Sequence, residues 1–285
     1  MEWYYLVTLA AFFISFVPIL RKNILIKEHA TEYATTLYLF VSLMLLPSIV
    51  KVDWNAGWLV WILMYLKAIL LTFAIILSNR AARHMEVSTV EPLRNFSVIF
   101  VLMMSFLFLG ERINGIQGIG IILVLLGSYI IEVKKTSMKF SLPGKKWVMF
   151  LMGAMFLGSI CSVMDKVILK YTSVYTLLIA PTLFLTIHLL LIQFFVYKGM
   201  KDIMFSIKFA GFSIIAIAAL TISSELFYLF AVATPVSLLS LIMTLRRLNT
   251  LISTVIGGEL FHEHNLFQKI TAAIIMIAGT YLVVV

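Results

Sequence analysis

Long apolar runs broken by short polar connections make up the chain from end to end. A helix needs about 20 largely apolar residues to cross a hydrocarbon core. The sequence offers ten such runs, at about 3–20, 31–50, 57–78, 87–109, 115–132, 147–164, 174–196, 209–231, 236–256 and 267–285. Irregular backbone facing lipid would leave N–H and C=O groups unpaired, so each run predicts a helix. The alternating pattern of a membrane strand is absent, and Ile119 to Leu126 is uniformly apolar. The connections Gly110 to Asn114 and Ala233 to Pro235 are short enough to force antiparallel hairpins. All five tryptophans (Trp3, Trp54, Trp58, Trp61, Trp147) fall at the starts of runs, where an amphipathic ring sits among headgroups.

Composition agrees with the pattern. Of 285 residues, 62 % are hydrophobic and 12 % charged, with a mean hydropathy of +1.07. A soluble domain carries roughly 45–50 % apolar and about 25 % charged residues. A soluble enzyme, a disordered chain and a nucleic-acid binder are thereby excluded. The expected class is an all-α integral membrane protein, multi-pass in the cell membrane. The single cysteine, Cys161, excludes an intrachain disulfide framework. The start Met1-Glu2-Trp3 lacks signal-peptide features, so the first run is expected to be retained.

The net charge is +9, and fourteen of the 22 Lys and Arg lie in the connections after runs 1, 3, 5, 7 and 9. The positive-inside rule then places both termini outside the cytoplasm. Apart from Lys269 at the very start of run 10, counted with the connection before it, only Lys67, Arg94, Arg246 and Arg247 lie inside runs.

The most basic connection, Lys134 to Lys146, divides the chain into residues 1–133 and 147–285, each with five runs. The halves resemble one another. Phe12 to Phe40 aligns without gaps to Phe156 to Phe184 with seven identities in 29, and Leu71 to Ser88 aligns to Leu220 to Ser237 with six in 18. Leu109-Gly110-Glu111 echoes Gly257-Gly258-Glu259, and Gly127-Ser128-Tyr129 echoes Gly279-Thr280-Tyr281. Five is odd, so a second copy enters the membrane from the opposite side. The expected architecture is ten transmembrane helices as a 5+5 inverted repeat, with a site at the interface of the repeats near the midplane.

The segment Pro92 to Ile131, ending LFLGERINGIQGIGIILVLLGSYII, resembles the close of an EamA domain of the drug/metabolite transporter superfamily. Ser237 to Val285, with VIGGELF and IIMIAGTYLVVV, resembles the close of a second copy. The resemblance implies a ten-helix inverted-repeat carrier of small metabolites, often an exporter of amino acids or related compounds. It also implies both termini in the cytoplasm, the opposite of the charge count.

An ionisable group at mid-bilayer costs about 2.5–3.5 kcal/mol on insertion scales, so each needs a partner, a wet cavity or a ligand. In run 9, Arg246 and Arg247 sit near the centre of the span, pointing about 100° apart. Arg247 shares a stripe with Ser237, Ser240, Thr244 and Thr254, and Arg246 with Asn249, Ser253 and Gly257. One arginine is expected to bind a substrate carboxylate or phosphate and the other to pair with a helix neighbour. The alternative is two structural arginines. In run 4, Ser88, Glu91, Arg94 and Asn95 form one polar stripe. It is either a cavity-lining proton or substrate site or an internal ion pair at the membrane edge, and Pro92 there suggests a discontinuous helix. Glu225, flanked by Ser223, Ser224 and Tyr228, is expected to exchange a proton or to serve as counter-ion to a run-9 arginine.

The predicted substrate-binding set is therefore Arg246, Arg247, Arg94, Asn95, Thr244, Tyr228 and Ser88, with Glu225 and Glu91 for proton coupling. Lys67 and His188 are weaker candidates. Asp165-Lys166 and Arg21-Lys22 are expected at the interface, and Glu111 and Glu259 are expected to stabilise turns. The glycines Gly115, Gly118, Gly120 and Gly127 are expected to permit close helix packing. Glu259, His262, Glu263 and His264 lack the spacing of a closed metal site, and neither metal nor cofactor is expected. No glycine-rich phosphate loop precedes a Lys-Ser or Lys-Thr. The pattern favours a secondary active transporter, an exporter or exchanger of a small carboxylate- or phosphate-bearing metabolite. A lipid or lipid-linked headgroup flippase and an intramembrane enzyme are the alternatives. The expected partners are a small-molecule substrate and the bilayer, with no nucleic acid. The pattern does not discriminate a monomer from a homodimer.

Overall fold

A backbone surrounded by lipid satisfies its polar groups within each segment, and the apolar runs accordingly become helices. The computed structural model describes residues 2–21, 30–85, 90, 93–132, 144–196, 211–260 and 266–285. Among the described residues there is no strand. The first run is α1 (Trp3–Ser15) and α2 (Val17–Arg21), which meet at Phe16, two residues before Pro18. The second is α3 (Ala30–Leu45), continued by a tighter 3-10 turn, Leu46–Lys51, with Pro47 in its first turn. Next come α4 (Trp58–His84) and α5 (Phe96–Met104), the latter ending in one wide π turn, Ser105–Leu109. Then follow α6 (Gly115–Glu132), α7 (Lys145–Ile168), α8 (Val174–Phe195) and α9 (Phe212–Ala233). The ninth run is split into α10 (Leu239–Leu245) and α11 (Leu248–Leu260), and α12 (Leu266–Val284) closes the chain.

Among the described residues six spans are long and apolar enough to cross a membrane alone: Trp3–Leu20, Glu32–Lys51, Trp58–Ala81, Lys145–Ile168, Val174–Phe195 and Phe212–Ala233. Shorter apolar helices cover Phe96–Leu109, Gly115–Ile131 and Ile270–Val284. The sequence placed a helix break at Pro92, which lies outside the described residues. A break is present at Arg246 and Arg247. There Arg247 N–H donates to Thr244 O (3.0 Å), Asn249 N–H to Arg246 O (3.2 Å) and Thr250 N–H to Arg247 O (3.0 Å). This three-residue spacing overwinds the helix and separates two directly adjacent guanidinium groups.

The helices pair in a pattern that repeats when every run is shifted by five. Run 3 lies on run 6 (α4 on α7), and run 8 lies on run 1 (α9 on α1). Run 3 touches run 7 (α4, α8) as run 8 touches run 2 (α9, α3), and run 4 touches run 6 (α5, α7) as run 9 touches run 1 (α11, α1). The pairs α3–α8, α5–α10 and α6–α12 map onto themselves.

Bilayer lipid supplies no hydrophobic drive between helices, so association depends on close packing and interhelical hydrogen bonds. Both are present. A Cβ at Gly120 would stand 2.8 Å from Gly279 O, and one at Gly279 would stand 2.8 Å from Gly120 O. Gly127 likewise meets Met276. These three glycines let α6 and α12 run backbone to backbone, whereas Gly115 and Gly118 face open space. Elsewhere Ser224 donates to Ala10 O (2.8 Å) across α9–α1, and Ser42 and Thr186 share a 2.7 Å bond across α3–α8.

Candidate functional site

A cavity of about 210 Å³ opens where α3, α4, α7, α8, α9 and the ninth-run break converge. Its polar wall consists of Lys67 from α4, Asp165, Ser162 and Cys161 from α7, Thr182 from α8, Glu225, Tyr228 and Thr221 from α9, Tyr38 from α3, and Arg246. Leu177, Leu178, Pro181 and Leu185 supply an apolar side.

Two ion pairs organise this wall. Lys67 Nζ donates to Asp165 Oδ1, with the two side chains only 9 % and 6 % exposed. Arg246 Nη2 donates to Glu225 Oε1, with exposures of 21 % and 36 %. Tyr228 stands between the pairs. Its hydroxyl is 3.5 Å from Asp165 Oδ2, and its ring lies under the Arg246 guanidinium at 4.5 Å. An arginine over an aromatic face gains a cation–π attraction that grows as water is excluded. The four ionised groups sum to zero, so a ligand meets a polarised but uncharged chamber. The first pair is nearly dry and the second is within reach of solvent.

Helix positions explain this convergence. Lys67 lies near the middle of the span Trp58–Ala81, and α4 lies along α7, which delivers Asp165. The sequence ended run 6 at residue 164 and assigned Asp165 to the interface. In the structure α7 continues to Ile168 and Asp165 is buried, 5 % exposed. This corrects that expectation: the connecting turn begins four residues later than the hydropathy pattern indicated. The neighbouring Lys166 does have a structural role. Its ammonium donates to Val232 O (3.0 Å), Thr234 O (3.2 Å), Ser237 O (2.7 Å) and Ser237 Oγ (2.9 Å). It thereby gathers carbonyls from the C-terminal end of α9 and from the turn that follows it.

The other end of the α9–α10 turn is held by Glu111. Gly110 takes φ +66° after the π turn, a left-handed conformation that glycine adopts without a Cβ clash. The next residue, Glu111, is only 8 % exposed. Its carboxylate accepts Leu239 N–H (2.6 Å), Ser240 N–H (3.1 Å) and Ser240 Oγ–H (2.7 Å). A carboxylate at a helix N-terminus satisfies orphan donors and complements the helix dipole. The sequence expects Glu111 to stabilise a turn; the turn it holds is α9–α10, through the start of α10, 128 residues later. An acid from the α5–α6 connection and a base from α7 thus clamp the short α9–α10 connection.

The predicted site residues separate in space. Arg246, Glu225 and Tyr228 come together on the cavity wall. Arg247 turns away from it, donating to Arg94 O (2.6 Å) and to Ser97 Oγ at the start of α5. Arg94 contributes its carbonyl to that contact, and Asn95 is buried beside it, 7 % exposed. Thr244 is fully buried and donates to Ser240 O (2.9 Å) within α10. None of Arg247, Arg94, Asn95 and Thr244 lines the cavity. Ser88 and Glu91 lie outside the described residues, as do His262, Glu263 and His264. Glu259 lies in α11, but its side chain is not among those described. Among the described residues no group of three His, Cys, Asp or Glu is arranged to hold a metal. His188 bonds Thr72 (3.3 Å) between α8 and α4, away from the cavity.

Asp165, Tyr38, Ser162, Thr182 and Thr221 were not among the predicted binding residues. A usable signal existed for Asp165 alone: Lys67, a lone cation at the centre of a span, demanded an acid on some other helix.

Comparison with known proteins gives a family match over the first repeat and a likeness of fold over the whole chain. Residues 1–133 match the family model described as the EamA-like transporter family. No curated protein matches the chain. Among solved structures 29 chains match. One of them, titled "Crystal structure of protein", superposes with a TM-score of 0.77 at 12 % identity, covering 98 % of this chain and 95 % of that one. At that identity the likeness concerns the fold alone.

Proposed function

We propose, from the premise that residues 1–133 belong to the EamA-like transporter family, that the whole chain is a secondary carrier moving a small polar metabolite by alternating access. The apolar helices and the family make it a multi-pass integral membrane protein. We place it in the cell membrane, as an exporter or exchanger built from repeats 1–133 and 147–285 joined by the basic linker 134–146. The five-shifted helix pairing supports a 5+5 inverted repeat, an architecture that places its site between the repeats at mid-depth.

The cavity containing both ion pairs carries this reading. Four ionised side chains at that depth are costly; Lys67 and Asp165 neutralise one another in near-dry surroundings, and a wet chamber for a charged ligand accounts for Arg246 and Glu225. Arg246 is the anion-binding group. Its partner Glu225 is the more exposed carboxylate, so an incoming carboxylate displaces it from the guanidinium at least cost. The formally neutral wall favours a ligand that brings both signs, such as an amino acid, over a multiply charged phosphate ester. Glu225, once released, is the group that carries a proton. Tyr228 and Tyr38 shape the pocket, and Lys67–Asp165 holds α4 against α7.

The test is counterflow in reconstituted vesicles with labelled amino acids and organic acids, comparing wild type with Arg246→Gln and Glu225→Gln. Arg246→Gln is expected to abolish uptake, and Glu225→Gln to retain exchange while losing the response to a proton gradient. Full uptake by Arg246→Gln overturns the assignment of the site.

A further inference from the structure

A second charged feature lies at the opposite end of α4, away from the cavity. Arg80, Arg83 and His84 occupy one face of its last turns, and Lys145 and Lys146 open α7, which packs against it. All five are exposed. The two elements are joined by a stack of His84 on Trp147, with ring centroids 3.8 Å apart and planes 19° apart. Lys146 Nζ lies over the Trp147 ring at 5.4 Å and the Phe150 ring at 5.7 Å.

Stability does not account for this cluster. Two lysines in a first helical turn oppose the dipole of α7, and like charges from α4 face them. Among the described residues no carboxylate pairs with Arg80, Arg83, Lys145 or Lys146. The connection that enters α7, Lys134 to Lys146, is the most basic in the sequence.

We propose that the α4–α7 end, through Arg83, Lys145 and Lys146 above Trp147, binds the headgroup of an anionic phospholipid. The depth identifies the source of the phosphate. An indole at the start of a membrane-spanning helix favours the headgroup level, and the Lys146 ammonium lies over the Trp147 and Phe150 rings there. Met149, half a turn further into the helix, is 70 % exposed, an apolar side chain suited to the acyl region. A basic pocket between helix ends at that level suits a lipid phosphate. The site lies on the face that carries the basic connections and is independent of the carrier cavity.

The test uses full-length protein in phosphatidylcholine vesicles containing a minor fraction of brominated phosphatidylglycerol, with quenching assigned to Trp147 by difference from Trp147→Phe. Wild type is expected to enrich phosphatidylglycerol over brominated phosphatidylcholine at Trp147. Removing cations near a membrane surface weakens anionic-lipid binding about fivefold per charge, so R83Q/K145Q/K146Q loses on the order of 100-fold and with it the preference. The charge-conserving R83K/K145R/K146R is expected to keep it, as is R112Q on the opposite face, with unchanged thermal midpoints in neutral detergent confirming the fold of each variant. Equal quenching by the two lipids in wild type overturns the proposal, as does persistence of the preference in R83Q/K145Q/K146Q or its loss in R83K/K145R/K146R. Displacement by inorganic phosphate beyond that caused by sodium chloride at equal ionic strength reassigns the site to a soluble anion and also overturns it. None of these outcomes depends on transport, so the result stands apart from the carrier reading.

Discussion

Removing one member of the Lys67–Asp165 pair is expected to be far worse than removing both. The side chains are 9 % and 6 % exposed, so an orphaned ion has almost no water to turn to. Breaking a buried pair by deleting one partner costs about 3–5 kcal/mol, whereas replacing both with neutral groups of similar volume is near neutral or stabilising by about 1–4 kcal/mol. Lys67→Met leaves Asp165 with the Tyr228 hydroxyl at 3.5 Å as its nearest donor. Asp165→Asn leaves an ammonium facing an amide. Each single variant is expected to lower the thermal midpoint in detergent by on the order of 10 °C, taking roughly 2–4 °C per kcal/mol for a chain of this size. The double variant K67M/D165N should recover most of that loss. The cycle then yields a coupling of about 3 kcal/mol or more. If the double variant falls by the sum of the two singles, the groups do not compensate one another, and the description of a dry, mutually neutralising pair is wrong.

Three further expectations follow from the packing and the site. A Cβ at Gly279 would stand 2.8 Å from Gly120 O and from Val124 N, so Gly279→Ala should destabilise by about 1–3 kcal/mol as an overpacking change, measured by thermal melting, while Gly118→Ala is neutral. Glu111→Ala removes the acceptor of three donors at the start of α10 and should cost at least the roughly 1–2 kcal/mol of a lost cap, while Gln in its place retains part of the effect; equal melting of wild type and Ala would refute the capping role. Arg246 and Arg247 should separate by assay. Arg246→Gln abolishes a substrate-induced rise in melting temperature, whereas Arg247→Gln lowers melting without substrate and leaves the rise intact, because Arg247 bonds α5 rather than the cavity.

Length and hydropathy determined that this chain spans a membrane with helices. The reason is energetic: apolar residues at this density have no other stable solvent, and backbone polar groups in lipid pair only within a helix. The sequence also singled out Arg246, Glu225 and Tyr228, which the fold brings to one cavity wall, since an ion deep in an apolar run is conspicuous wherever the helices pack. What it left open was which ion meets which. Lys67 and Asp165 are 98 positions apart, and Glu111 and Leu239 are 128 apart. Periodicity measures angle around one axis and carries no information on which neighbour occupies it. Arg246 and Arg247 show the limit most plainly. On a regular helix both stripes were equally open, and the overwound turn between α10 and α11 sent one into the cavity and the other to α5. That division of labour belongs to the tertiary structure, because a charge in a bilayer takes its role from the group it is packed against.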